Sequence, residues 1–142
     1  MATLPVVLEA IRDRLEAETS LVRSASVDSL RQIPDHLQPL SFAAWPSRST
    51  NKNTTRASRS TATIEDEIVI EFANRLAKAT EADGFDTLLT TVLAARVALT
   101  DADWWRASGA ECVGWVSDRR TRTGSWVIIS STYRVRRAGA LG

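Results

Sequence analysis

Apolar residues recur near the N-terminus at intervals of three or four positions, a spacing that predicts an amphipathic helix over residues 4–18. Thr3 is placed to cap this helix, and Pro5 lies in its first turn, where a missing N–H costs little. The residues of the apolar stripe are Leu4, Val7, Leu8, Ile11 and Leu15.

The same spacing predicts a second long helix, which begins with Asp83 as its N-cap and ends near Thr100. Asp86 would lie in the first turn, where negative charge suits the helix dipole. The positions that repeat are Phe85, Leu88, Leu89, Val92, Leu93, Arg96, Val97 and Leu99.

Strict alternation over residues 64–73 predicts a strand with one face on a core and the other toward water or a partner. The outer face would carry an acidic stripe of Glu65, Glu67 and Glu71. Residues 21–33 and 40–45 are predicted as two further strands, the second of which Pro46 ends.

The C-terminal third predicts a hairpin with arms at 112–117 and 125–135. A basic turn over 118–124 would join the arms, and Gly124 would supply a positive φ. Residues 138–142 carry little that could dock, and we expect a disordered tail there.

Residues 48–60 contain almost no apolar side chain, which predicts a mobile basic loop. The whole of 1–142 then forms a single α+β domain. We expect a mixed, mostly antiparallel sheet packed against two main helices.

Composition is that of an ordinary globular domain, with 44% apolar and 25% charged residues. No apolar run is long enough to span a bilayer, and no secretory signal is evident, so we expect no membrane partner. Cys112 is the one cysteine and cannot form an internal disulfide, which favours a reducing compartment such as a bacterial cytoplasm.

Charge is unevenly distributed although the net charge is only +1. Residues 48–59 hold four basic residues and no acid, and residues 112–142 hold six arginines and one acid. Between them, residues 65–111 hold ten acids and four bases. This pattern suits self-complementary assembly or contact with nucleic acid, and solvated faces are an equally ordinary explanation.

The sequence offers little for catalysis. His36 is the one histidine and has no nucleophile motif to pair with, and Cys112 is interpreted as a small buried apolar residue. Asp101 and Asp103 are interpreted as capping residues rather than ligands. We therefore expect no enzymatic activity, no metal and no cofactor.

Three segments resemble the tail terminator (minor tail, tail completion) proteins of long-tailed bacteriophages. They are the opening helix LPVVLEAIRDRLEAE, the region RASRSTATIEDEIVIEFANRL with DGFDTLLTTVLAARVAL, and the closing WVSDRRTRTGSWVIISSTYRVRR. The resemblance implies a hexameric ring on the head-proximal end of the tail tube, which ends tail growth and offers a head-joining surface. It also implies a virion tail or neck protein that assembles in the host cytoplasm.

The resemblance implies these partners: other copies of the chain, the tail tube protein, a head-completion or connector protein, and DNA passing through the lumen without sequence-specific binding. One or two of the five tryptophans are expected at subunit contacts. The candidate assembly and lumen contacts are Arg48, Lys52, Arg56, Arg59, Glu65, Glu67, Glu71, Arg119, Arg120 and Arg122.

Three alternatives stay open. The first is another head–tail connector or neck protein, and the second is a small enzyme with an unrecognised site. The third is a nucleic-acid-binding module, against which the acidic middle and the small net charge argue. That module would use Arg119, Arg120, Arg122, Arg134, Arg136 and Arg137.

Overall fold

The computed structural model describes residues 3–26, 28–52 and 61–140. Its helices are α1 (Leu4–Glu18), α2 (Glu81–Leu99) and α3 (Ala102–Ser108), with a 3₁₀ turn at Leu30–Gln32. Its strands are β1 (Val22–Arg23), β2 (Ser41–Asn51), β3 (Thr61–Arg75), β4 (Ala110–Thr123) and β5 (Trp126–Ala140).

The five strands form one sheet in the order β1-β2-β3-β5-β4. β1 runs parallel to β2, and every other neighbouring pair is antiparallel. Helices α1 and α2 contact each other and pack on one face of the sheet. This architecture confirms the predicted α+β class.

Helix α1 has the predicted bounds because its cap and its apolar stripe agree. The Thr3 side chain accepts a hydrogen bond from the Val6 N–H at 3.4 Å, and Pro5 lies in the first turn. Helix α2 begins earlier than predicted, at Glu81, and its N-cap Thr80 makes no side-chain cap. Glu81 and Asp83 in the first turn match the helix dipole instead.

The main core lies between the helices and the sheet, where β3 contributes Ile68, Ile70 and Phe72. A smaller cluster of Leu30, Ala43, Ala73 and Ile128 lies on the opposite sheet face. The first cluster packs the helices on one face of the sheet, and the second packs the 3₁₀ turn on the other face.

Two predicted strands have different bounds. Of residues 21–33, only Val22–Arg23 form a strand, because 30–32 form the 3₁₀ turn that buries Leu30. Strand β2 does not end at Pro46 but runs to Asn51, because β3 supplies ladder partners beyond it, from Arg48↔Glu67 to Asn51↔Ile64. Pro46 is tolerated where the ladder shifts register.

The predicted loop over 48–60 is therefore wrong for residues 48–51, which are strand. Its two further arginines, Arg56 and Arg59, lie outside the described residues. The predicted disordered tail is also wrong for residues 138–140, which pair with 63–61 of β3. Residues 141–142 lie outside the described part of the chain.

The C-terminal hairpin is longer and tighter than predicted. β4 continues to Thr123, so the turn is only Gly124–Ser125, with Gly124 at φ 59°. The predicted basic turn over 118–124 is wrong, since Arg119, Arg120 and Arg122 are residues of a strand.

Candidate assembly surfaces

The sheet face away from the helices carries a group of charged side chains at one end, which we call the charged platform. Cross-strand register brings them together: Glu65 lies opposite Thr50 and Arg136, and Glu67 lies opposite Arg48 and Arg134. The members of the platform are Arg48, Lys52, Glu65, Glu67, Arg134 and Arg136.

Glu65 is the centre of the platform. Its carboxylate accepts a hydrogen bond from Arg136 Nε at 3.2 Å and lies 3.7 Å from Lys52 Nζ and 3.8 Å from Arg134 Nε. Desolvation alone would raise the pKa of Glu65, but the Arg136 hydrogen bond and the three positive charges outweigh it and lower that pKa. Glu65 therefore stays ionised at neutral pH.

The platform surrounds a small open cleft of about 200 Å³, lined by Arg48, Thr50, Lys52, Glu65, Glu67 and Arg134. Positive and negative groups are mixed in this cleft. At Glu65, basic residues of the same chain therefore neutralise the predicted acidic stripe. Sequence reasoning assigned Arg134 and Arg136 only to the nucleic-acid alternative. The pairing of β3 with β5, which periodicity does not reveal, is what places them beside Glu65.

Glu71 was predicted on the exposed stripe, and this is wrong because the side chain is buried. Its Oε1 accepts hydrogen bonds from Ser29 Oγ at 2.9 Å and from the Leu30 N–H at 2.7 Å, and its Oε2 accepts one from Ser130 Oγ. Arg31 Nε lies 3.5 Å from the same carboxylate. Glu71 thus holds the 3₁₀ turn on the sheet, which is a structural role.

The three hairpin arginines separate onto both faces of β4. Arg119 is exposed on the open face opposite Ser130. Arg120 lies on the helix side, 5.2 Å from the centre of the Phe85 ring. Arg122 donates to Glu81 through both Nη atoms, at 3.1 and 2.6 Å, and this pairing lowers the pKa of Glu81.

A surface that sequence reasoning missed lies along β4 and α2. Register shifts on both sides of Gly114–Trp115 make Val113 and Val116 extra residues in the ladder, and both are exposed. On α2, Leu89, Leu93 and Val97 form an exposed row at four-residue spacing. The signal was the short apolar run from Val113 to Val116, but no periodicity reveals a bulge.

Two side chains with reactive atoms, Cys112 and Tyr133, lie in surroundings that favour their protonated forms. Burial raises the pKa of the Cys112 thiol, only partly offset by a backbone hydrogen bond from Gly114, which disfavours the thiolate. Burial likewise raises the pKa of Tyr133 to about 12. Among the described residues, no three His, Cys, Asp or Glu side chains converge as a metal site would require.

Comparisons with known proteins add a likeness of fold. The sequence matches no protein-family model, and it matches no curated protein. The structure is similar to a chain of a solved structure described as the virion of a native gene transfer agent particle, with a TM-score of 0.61 and 18% identity. The likeness covers 96% of this chain and 100% of that one, so the two share one fold along their whole length. Within the described ranges, no helix has the length and apolar character needed to cross a membrane.

Proposed function

We propose that this chain is a structural protein of a phage-like virion, which forms a ring at the head-proximal end of a tail tube. The observation that carries the proposal is the end-to-end fold likeness to a chain of the gene transfer agent virion. The resemblance of the sequence to tail terminator proteins supplies the finer assignment. In this role a hexameric ring ends polymerisation of the tube and offers a surface to the head.

The chemistry of the described residues supports a role in assembly rather than catalysis. Two buried carboxylates are matched to structural partners, and the first is Glu71, which accepts the Leu30 N–H of the 3₁₀ turn. A second example is Asp66, which accepts hydrogen bonds from Ser49 Oγ at 2.5 Å and Arg137 Nε at 2.7 Å. We therefore propose that the protein is not an enzyme.

The proposed partners are further copies of the chain, the tail tube protein, a head-completion or connector protein, and DNA in the lumen. The charged platform suits the last of these, because it holds four basic side chains with two acids, and basic side chains bind phosphates whatever the base sequence. DNA would then slide past without specific binding.

The test is to measure the mass of the purified chain by light scattering at several concentrations, with and without purified tail tubes. We expect a ring-sized species in at least one of these conditions, and electron microscopy should place it at one end of the tube. A chain that stays monomeric in every condition and does not bind tail tubes would contradict the proposal.

The second candidate is another head–tail connector or neck protein. It is favoured because the solved structure is of a whole virion particle, and a likeness of fold to one of its chains fits a neck protein as well as a terminator. Such a protein would bind the head-side connector and leave tube length unchanged. Tube polymerisation with and without the chain separates the two, since only a terminator limits tube length.

A nucleic-acid-binding module is the third candidate, favoured by the four basic side chains of the platform. It predicts duplex affinity in the absence of tubes that falls steeply as salt increases. Weak binding with no such slope would leave the ring as the better account.

A further inference from the structure

A cleft of about 510 Å³ lies between the end of β1 and the loop that leads into β2. One wall is the segment from Arg23 to Ser26, the other is the loop from Pro34 to Gln38, and Ser41 of β2 also lines it. The walls mix apolar side chains such as Leu37 with polar ones such as Asp35. A cleft of this size and mixture suits a ligand that has an apolar part and a polar group.

Ser41 brings a buried hydroxyl without a partner to this cleft. The residue is 1% exposed, and its Oγ makes no hydrogen bond within the part of the chain that the structure describes. Ser41 lies opposite Ala73 on the sheet face away from the helices, and the loop residue Leu37 packs on that same face. A buried hydroxyl without a partner costs stability, and pairing with a ligand explains why the chain keeps it.

The loop that forms one wall has an uncommon backbone conformation. Ile33, His36 and Leu40 have φ values of 43°, 63° and 51°, in the left-handed region that residues other than glycine rarely adopt. Such residues persist only where the surrounding structure fixes them, and they cluster at ligand sites. The Leu37 N–H donates to the Pro34 carbonyl at 3.2 Å, which closes a turn within the loop. The loop is therefore a defined wall for a ligand.

The other wall carries Arg23, but α1 more than neutralises its charge. The Arg23 guanidinium forms ion pairs with Glu9, Asp13 and Glu16. Its hydrogen bond lowers the pKa of Glu9, so this carboxylate is ionised at neutral pH. Arg12 pairs with Glu9 as well, which leaves three carboxylates against two arginines beside this wall.

The loop wall adds acceptors and a further negative charge. Asp35 is exposed, and its carboxylate forms no ion pair with any residue that the structure describes. Gln38 Nε2 donates to the His36 carbonyl at 3.3 Å, so Oε1 is the side-chain atom that is left to accept a hydrogen bond. Together with Ser41 Oγ, these groups favour a ligand that is positively charged and has several donors.

We propose that this cleft binds an arginine side chain of a partner protein. A guanidinium has five donors in a planar fork, so it can pair with the Asp35 carboxylate and also donate to Ser41 Oγ. A lysine ammonium is a point charge without that fork. The apolar stem of the arginine would lie on Leu37. Most arginines in the described ranges already pair with a carboxylate of the same copy, so the arginine is assigned to a different protein.

The first test uses Nα-acetyl-arginine amide as the probe and Nα-acetyl-citrulline amide as its uncharged matched control. Each is titrated into the isotope-labelled full chain, and NMR follows the backbone amide signals. We expect the arginine probe to shift the signals of Asp35, Gln38 and Ser41 and to bind at least about tenfold more tightly than the citrulline probe. Equal affinities, or an arginine probe that produces no saturable shift at these residues, would overturn the inference.

Two variants test the cleft itself. Asp35→Asn removes an exposed charge, so we expect at least about fivefold weaker binding of the arginine probe with an unchanged melting temperature. Ser41→Ala should weaken binding about threefold and leave the melting temperature equal or higher, because the hydroxyl has no partner in the free protein. Asp86→Asn is the control and should bind normally, since it removes an exposed carboxylate of α2 that does not line the cleft.

Unchanged affinity in Asp35→Asn or Ser41→Ala would overturn the inference, and so would a lower melting temperature in Ser41→Ala, because the hydroxyl would then serve the fold. Light scattering of the wild type and Asp35→Asn separates the sources of the arginine. Self-association that Asp35→Asn abolishes would place the arginine on a second copy and overturn its assignment to another protein. Equal self-association of the two agrees with that assignment. The titration needs no ring, so a failure of the proposed function leaves its result unaffected.

Discussion

Strand β3 has two halves with contrasting surroundings. From Ile68 to Phe72 its inward side chains are fully buried beneath the helices. From Glu65 to Glu67 its outward side chains belong to the charged platform, which arginines of β5 complete. One half of this continuous strand thus packs in the core, and the other half presents charged side chains to its surroundings.

The boundary between the halves is a buried ion pair rather than a loop. Asp66 points to the helix side, as Ile68 does, but is fully buried against Arg137 and Ser49. The contrast teaches that a sheet can extend past its apolar core when cross-strand charges satisfy each other. The core half then contributes most of the stability, and the other half presents charged side chains.

The largest expected effect is in the core half. Ile70→Asp buries an unpaired charge where the wild-type side chain is 0% exposed. We expect the free energy of unfolding to fall by more than about 4 kcal/mol, which is a large part of the stability of an ordinary domain. Urea denaturation monitored by circular dichroism measures it.

Val69→Asp is the matched control, because the neighbouring side chain faces the open side of the sheet and is only half-buried. It should cost much less than Ile70→Asp. Equal losses from the two variants would show that β3 does not separate a core face from an open one.

The next effect is at the boundary. Arg137→Met leaves the Asp66 carboxylate buried without its cation, and we expect a loss of about 3–5 kcal/mol in urea denaturation. The double variant Asp66→Asn with Arg137→Met removes the stranded charge and should recover much of that loss. If Arg137→Met costs as little as an exposed substitution, the pair is not a structural boundary.

A smaller effect concerns pH in the platform half. The folded pKa of Glu65 is lowered, so its ion pairs contribute stability that is fully present above the unfolded carboxyl's ordinary value of 4.5. That contribution is lost as pH falls through the folded pKa. Arg136→Gln should move the Glu65 pKa upward in an NMR titration, and an unmoved pKa would contradict the geometry of the pair.

The smallest effect on stability is expected in β4. Arg119 and Arg120 are both exposed, so reversing their charges to glutamate should leave the melting temperature nearly unchanged. The loss of the Arg120 contact with Phe85 adds about 1 kcal/mol at most. Assembly on tail tubes should nevertheless weaken. A parallel loss of thermal stability would show that these arginines have a structural role.

Sequence patterns predicted the elements that carry their own local signal. α1 was predicted at its observed bounds because its cap, proline and apolar stripe all lie in the helix or directly before it. The alternation over residues 64–73 also predicted a strand with one face on a core, and Ile68, Ile70 and Phe72 are buried on that face.

The elements that depend on distant partners were not predicted correctly. Arg48 to Asn51 and residues 138–140 are polar or small, and they are strand because β3 pairs with both. Glu71 was expected outside because nothing local indicates that the 3₁₀ turn from Leu30 would cover it. The charged platform was not predicted for the same reason, because cross-strand pairing decides which charged side chains lie next to each other.

The central claim is that the chain works by joining copies of itself. The most direct measurement is the mass of the species formed on purified tail tubes, by light scattering and electron microscopy. The account predicts a closed ring at the end of the tube, with about six times the 15.6 kDa mass of one chain. A species that stays at the mass of one chain at every concentration, with and without tubes, would contradict it.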